Sequence, residues 1–293
     1  VNPITPAEVP VSVWATGQKP SQVQRRGRYL PESMKHPGKM LPAIAARTIA
    51  TYTRTGEYVL DPMCGIGTTL VEAAHLGRNG IGVEYERRWA QMAAANLHLA
   101  HRQGATGSGL VIGGDSRRII RLVPEQVRGR IALVLTSPPY GSSTHGHVCS
   151  TRDSGEDGVT KQNNRYSTDR DNLAHRRLPD LLEGFGQILD GCAELLVPGG
   201  VVAVTVRPIR VKGELIDLPG QVVQTAERSG LVLVDQLVAL LCGLRDGRLV
   251  NRASFFQKLE ARRARDRGVP ACATAHEDLL IFHRACDLPG SPR

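Results

Sequence analysis

Short apolar runs alternate with helical stretches from Tyr58 onward, and that rhythm limits the fold more than any other feature of the chain. Tyr58-Val-Leu60 is followed by a helical period from Thr69 to His75, and Gly80-Ile-Gly-Val83 by one from Arg88 to His101. Leu110-Val-Ile112 and Ile131 to Leu135 read as the next two strands. The pattern resumes with a helix from about Leu178 to Leu196, a strand Val201 to Val206, a helix Leu218 to Arg228, and strands Leu231 to Leu241 and Asp278 to His283. Apolar runs without a polar face suit strands buried on both sides, and strands joined through helices run parallel. The expected fold is an α/β, doubly wound, mainly parallel sheet of seven strands.

Three stretches depart from the rhythm. Residues 1–35 carry Pro3, Pro6, Pro10, Pro20 and Pro31 with few clustered apolar residues, and end on Arg25, Arg26 and Arg28. They read as a Pro-rich, basic, extended arm preceding one domain over 36–293. Residues 141–177 are polar and almost without large apolar side chains, a length of loop that tends to be functional. The insertion 243–277 sets Arg245, Arg248, Arg252, Lys258, Arg262, Arg263, Arg265 and Arg267 against Asp246, Glu260, Asp266 and Glu277.

The chain has 293 residues, enough to bury a full core without disulfides or metal, and its net charge of +9 favours a polyanionic partner. Six cysteines are scattered with no C-x-x-C pair, so neither a zinc site nor a disulfide framework is expected. His145 and His147 lie in the polar loop, where solvated or phosphate-contacting roles fit better than a metal pair. No run of about 18 apolar residues is present, and the chain start lacks a signal-peptide pattern. A cytoplasmic, nucleoid-associated protein is expected.

Asp61-Pro-Met-Cys-Gly-Ile-Gly-Thr-Thr69 stands between a strand and a helix, where glycines allow a tight turn and close approach to a ligand. Glu84, directly after the next strand, is placed to accept hydrogen bonds from both ribose hydroxyls of a nucleoside cofactor, and Asp115 after the third to receive an adenine amino group. The dinucleotide fingerprint lacks its third glycine here, and the G-K-[ST] of a phosphate loop is absent.

At these residues the chain resembles the amino-directed DNA methyltransferases that use S-adenosylmethionine, whose cofactor motif reads Asp-Pro-Phe-x-Gly-x-Gly-Thr-Thr; Met63 is the departure. His36-Pro-Gly-Lys-Met40 looks like the family's segment over the methionine end of the cofactor, and His276-Glu-Asp-Leu-Leu-Ile-Phe282 like its closing strand. The resemblance covers residues 33–240 and 276–284, and implies a Rossmann-like fold. It assigns cofactor contacts to His36, Lys39, Met40, Asp61, Met63, Gly65, Gly67, Thr68, Thr69, Glu84, Tyr85, Asp115, Ser116 and Thr136. The cofactor motifs precede Ser137-Pro-Pro-Tyr140, the order of the class with late recognition elements.

The same resemblance gives Ser137-Pro-Pro-Tyr140 its roles. Ser137 and the Pro138 carbonyl would orient the target amine, Pro139 would fix the turn, and Tyr140 would stack on a flipped base. Flipping costs a few kcal/mol and aromatic stacking returns about 1–3 kcal/mol. Serine before Pro-Pro is the commoner choice for cytosine N4, with adenine N6 as the other amino target. No covalent nucleophile is needed: Cys64 is read as a bystander thiol, and Ser137 lacks the Gly-x-Ser-x-Gly turn of a hydrolase. The implied function is site-specific methylation of double-stranded DNA, in a restriction-modification or other defence system, with a partner nuclease or specificity subunit. Two alternatives stand beside it. Asp61-Pro-Met-Cys-Gly and Pro-Pro-Tyr-Gly141 also resemble guanine-N2 methyltransferases of tRNA or rRNA, although those usually carry an N-terminal RNA-binding domain for which about 55 residues leave no room. The other is a catalytically silent DNA-binding protein of the same fold.

Overall fold

The computed structural model describes residues 10–139, 147–150, 159–162, 166–167, 169, 171–211, 214–253 and 255–285. In chain order the elements are β1 (Val13–Trp14), α1 (Ser21–Arg25), α2 (Pro42–Tyr52), β2 (Tyr58–Asp61), α3 (Thr68–His75), β3 (Asn79–Glu84), α4 (Arg87–Arg102), β4 (Gly109–Gly113), α5 (Ile119–Leu122) and β5 (Ile131–Thr136). There follow β6 (His147–Ser150), β7 (Val159–Gln162), α6 (Leu178–Leu195), β8 (Leu196–Val206), β9 (Ile209–Val211), β10 (Glu214–Ile216), α7 (Leu218–Arg228), β11 (Leu231–Leu240), β12 (Gly243–Arg245), β13 (Arg248–Val250), α8 (Phe255–Asp266) and β14 (His276–Arg284).

The main sheet has the order β1-β11-β14-β8-β5-β2-β3-β4. Strands β8, β5, β2, β3 and β4 run parallel, and β14 lies antiparallel to both β8 and β11. The seven expected strands are all present, and two-residue β1 extends the sheet beyond β11. From β2 the chain winds outward through β3 and β4, then crosses back to β5. The carboxyl ends of β2 and β5 therefore flank a topological switch point, the place where open α/β sheets bind ligands.

Two apolar layers cover the sheet. On one face Leu60, Val134, Val202, Val204, Leu280 and Phe282 pack with α6 and α7. On the other, Val59, Leu133, Leu135, Ala203, Leu279 and Ile281 pack with Ile44 and Ile49 of α2. Every residue of β5 is buried, as its unbroken apolar run requires.

The expectation of an extended arm is overturned for the described part of residues 1–35. Trp14 is buried, Val238 donates its N–H to the Ser12 carbonyl at 2.7 Å, and the Thr16 hydroxyl bonds the Leu240 carbonyl at 2.8 Å. Prolines punctuate this stretch without exposing it, because side chains such as Tyr29 and Arg25 supply its anchors. Glu72 of α3 is 3 % exposed and takes Arg28 Nε at 2.8 Å, Arg28 Nη2 at 2.5 Å and the Tyr29 hydroxyl at 2.6 Å. Arg28→Ala leaves a buried carboxylate without its cation and should lower unfolding stability by about 2–3 kcal/mol, whereas the double change Arg28→Met/Glu72→Met should recover most of the loss. Urea denaturation checks both; a double variant no more stable than Arg28→Ala would show that the loss does not come from the unpaired carboxylate.

Candidate cofactor and catalytic site

A cavity of about 420 Å³ opens at the carboxyl edge of the sheet, a size suited to a small molecule. The turn after β2 forms its floor. Gly65 (φ 52°) and Gly67 (φ 78°) are left-handed, a conformation that suits glycine. A Cβ on Gly65 would lie 3.0 Å from His36 Nε2. The turn is locked by Asp61, whose carboxylate accepts the Thr69 hydroxyl at 2.6 Å and the Met63 N–H at 3.1 Å. Thr136, at the end of β5, stands beside the same carboxylate. Burial raises Asp61 to about 6.

Glu84 ends β3, one strand over. It is buried and accepts the N–H groups of Gly65 at 2.8 Å and Glu86 at 2.9 Å. Burial is the main reason that it is pushed up to about 7. Neither Asp61 nor Glu84 has a cationic salt-bridge partner among the described residues. Two buried acids on adjacent strand tips, with glycine backbone between them, fit a ligand carrying ribose hydroxyls and a positive charge. S-adenosylmethionine has both.

His36, Lys39, Met40, Met63, Thr68, Thr69, Tyr85 and Ser116 also line this cavity, and so do Ser137, Pro138 and Pro139. Gly67 lies below the lining and caps α3. Tyr140 lies outside the described residues, as do His145 and most of the polar loop. His36 is packed edge-on to Trp89 at 4.6 Å between ring centroids, and burial holds it neutral, well below the usual histidine range. Lys39 is lowered to about 7 by burial and donates from Nζ to the Met34 and His36 carbonyls. Asp115 reaches the cavity, but Arg117 already holds its carboxylate, with Nη2 at 2.7 Å and Nε at 3.0 Å from both oxygens. An adenine amino group would share it with that guanidinium. Cys64 is buried and its thiol is pushed well up by desolvation, as an inert side chain requires.

Several contributors are not legible from motif spacing. Buried Arg25 bonds the Met40 carbonyl at 2.5 Å and the Ser21 hydroxyl at 2.8 Å, fixing the His36–Met40 segment over the cavity. Tyr166, from within the polar loop, directs its hydroxyl at Glu84, 3.0 and 3.2 Å from the two oxygens. Thr205, Arg207 and Glu277 form the wall beyond Ser137. A lone tyrosine in an otherwise polar stretch was the available signal for Tyr166.

The fold is of the Rossmann-like class, and the cavity's acids and glycine turn fit S-adenosylmethionine as a ligand. Residues 7–95 match the model of the family described as DNA methylase. The tRNA (guanine(10)-N2)-dimethyltransferase of Methanocaldococcus jannaschii is 32 % identical over 110 residues, 37 % of this chain and 31 % of that protein. The type II methyltransferase M2.DpnII of Streptococcus pneumoniae is 40 % identical over 63 residues, 22 % of this chain and 24 % of that one. These matches span about a third or less of either relative. Among solved structures, TrmN from Thermus thermophilus superposes with a TM-score of 0.50 at 17 % identity, covering 89 % of this chain and 53 % of that one, which shows a shared fold. No helix among the described residues is long and apolar enough to cross a membrane.

The acid at about 7 sets a pH dependence. A ribose diol would donate to ionised Glu84, so cofactor affinity should rise with pH and level off above about 7, with up to roughly tenfold loss per unit below it. The ligand-free fold runs the other way. A carboxyl whose folded pKa is raised holds its proton better when folded, so its stabilising contribution is complete below the unfolded value and is lost as pH rises through about 7. Calorimetric titration of S-adenosylmethionine from pH 6 to 8 checks the first point. Glu84→Gln should bind at least about tenfold more weakly and flatten the profile; a wild-type affinity independent of pH would remove Glu84 from the ribose contact.

Proposed function

We propose that this protein methylates the exocyclic amino group of a base in double-stranded DNA, cytosine N4 ahead of adenine N6. The observation that carries the reading is the position of Ser137-Pro138-Pro139. It leaves the tip of β5 into the same cavity as Asp61 and Glu84, directly across the switch point. When bound, S-adenosylmethionine supplies a methyl group on a sulfonium sulfur that departs with the bonding electron pair. The chain's own residues prepare the acceptor. Ser137 Oγ and the Pro138 carbonyl take the two amine hydrogens, turning the nitrogen lone pair out of conjugation with the ring. Pro139 fixes that turn, and Tyr140 stacks on the extruded base. The surplus proton leaves the methylated amine for water, which calls for no strong base.

Charge supports a nucleic-acid partner. β11 ends beside the start of β14, with Leu240 opposite His276, so the insertion after β11 emerges at the cavity edge. It carries exposed Arg245 and Arg248 on β12 and β13, and Arg262, Arg263 and Arg265 on α8, while Arg252 and Gln257 line the cavity itself. A basic rim around a largely acidic cofactor end fits a phosphate backbone tracking past an extruded base. The tRNA guanine-N2 reading keeps a place because the relative from M. jannaschii matches over 110 residues. A protein of this design would fit a restriction-modification or other defence system, together with a nuclease or specificity subunit.

Incubation with labelled S-adenosylmethionine and unmethylated duplex DNA or bulk tRNA, followed by nucleoside mass spectrometry, should give N4-methylcytosine in DNA. N6-methyladenine would change the base, and N2-methylguanine confined to tRNA would overturn the DNA assignment. Ser137→Ala should cut kcat by about 100-fold while leaving cofactor affinity in place, since the hydroxyl acts only on the amine. Removing Arg262, Arg263 and Arg265 together should flatten the slope of log affinity against log salt by about 2–3 for duplex DNA; an unchanged slope would place the phosphates elsewhere.

A further inference from the structure

The insertion after β11 opens with an element that the proposed mechanism does not use. β12 and β13 form a hairpin joined by Asp246 (φ 49°) and Gly247 (φ 71°), the left-handed pair of a two-residue turn whose twist matches its strands. Every residue from Leu244 to Leu249 is exposed, so the hairpin stands clear of the sheet. A two-stranded hairpin without a core is at best marginally stable in water, and this one is fixed at its base. Cys242 and Gly243 are buried, Leu244 donates its N–H to Gln18 Oε1 at 3.3 Å, and Arg252 grips the Gly17 and Gln18 carbonyls at 2.9 Å each. Leu241 and Arg252, on either side of the hairpin, line the cavity. Three residues in each strand place the turn roughly 10 Å from that rim.

Register sorts the hairpin's side chains onto two faces. Leu244 lies directly opposite Leu249, and Arg245 opposite Arg248, so the leucines share one face and the arginines the other. Leu244 is 49 % exposed and Leu249 62 %. Neither guanidinium has a hydrogen-bond or ion-pair partner among the described residues, and like charges set directly opposite each other weaken a strand pair. The leucines call for an apolar surface and the arginines for anions. Two leucines are far too few for a protein interface, which takes roughly 800 Å² from each partner. Duplex DNA offers both in one place: phosphates along its edges, and the flat apolar faces of the neighbouring bases once one base has left the stack. Its major groove also admits a two-stranded ribbon.

We propose that the β12–β13 hairpin enters the duplex beside the extruded base, where Leu244 and Leu249 fill the gap left in the stack and Arg245 and Arg248 hold the flanking phosphates. This rests on the duplex-DNA reading above and names the element that opens the stack. Apolar wedges offset lost stacking in the same way in proteins that kink DNA. The hairpin acts before methyl transfer, on the equilibrium between stacked and extruded base. Its contribution therefore shrinks for a base that is already unpaired.

The test uses the full chain and duplex oligonucleotides containing the site mapped on unmethylated plasmid DNA, with the target base either correctly paired or mispaired. Leu244→Thr/Leu249→Thr keeps a cross-strand pair suited to a hairpin and removes the apolar face. It should lower kcat/KM on the paired duplex by about 10- to 100-fold and stay within about threefold of the wild type on the mispaired one. A structural role would lower both alike, and that result, or wild-type kcat/KM on the paired duplex, would overturn the wedge. Cofactor affinity reports folding, and if the double variant does not fold, Leu249→Thr alone should show the same asymmetry at about three- to tenfold. Arg245→Gln/Arg248→Gln should reduce the slope of log affinity against log salt by about 2, and an unchanged slope would overturn their phosphate contacts. A wild-type dimer that is lost in the leucine variant, with paired-duplex activity unaltered, would overturn the wedge in favour of a second copy of the chain. Label confined to tRNA would overturn the DNA reading itself, and the wedge with it.

Discussion

β2 and β5 are neighbours in the sheet, yet the chain leaves their carboxyl ends in opposite directions, toward β3 from one and back over the sheet from the other. Neither connection can cover the gap between them, so a crevice exists before any side chain is chosen. What the sequence adds is a way to keep it open and polar. Asp61 is held down by Thr69 and Met63 rather than reaching across, and left-handed Gly65 and Gly67 turn the chain into α3 without placing a Cβ over the floor. Ser137 and two prolines leave β5 on the other side, stiff enough to present a carbonyl at a fixed height.

The electrostatics of this crevice make sense as a site waiting for a cation. Burying Asp61 and Glu84 costs each carboxylate part of its hydration, which is why they sit at about 6 and about 7. A sulfonium ligand offsets that cost where a fixed lysine would block the space. Lys39, which lines the cavity, is itself lowered to about 7 by burial and is bonded to main-chain carbonyls, so it shapes the wall instead of neutralising the acids. Charge placement that is unfavourable for the protein alone would become binding energy for a cationic ligand.

Most of the fold was legible because the central strands are buried on both faces and the helices between them are amphipathic; α7 begins and ends as periodicity predicts, and β3 gains one residue at each end. Residues 13–35 were not legible as packed structure, since their prolines read as an open chain and their anchors, Arg25 and Arg28, read as basic decoration. In fact these two arginines close buried hydrogen bonds to Met40 and Glu72. The motif side of the cavity followed from spacing at Asp61, Gly65 and Glu84. Its far wall could not, because Thr205 and Glu277 become neighbours only when β14 inserts antiparallel between β8 and β11, a pairing separated by some seventy residues of chain.

That insertion also explains how a protein of net charge +9 can carry an acidic pocket. β14 brings Glu277 to the carboxyl edge, and β11 delivers its basic insertion to the same edge from the next strand, so acid lies within and arginine around it. β1 and the segment up to Gln18 tie the two together: Arg252 of the insertion bonds the Gly17 carbonyl from Nε at 2.9 Å, while Gln24 of α1 accepts the Ala43 N–H at the start of α2 at 2.9 Å. The stretch that holds the basic insertion in place therefore also holds α2, which follows directly on the cavity-lining segment His36–Met40. Displacing one should be felt by the other, because Arg25 of α1, eight residues along the chain from the Gly17 carbonyl that Arg252 grips, fixes the Met40 carbonyl.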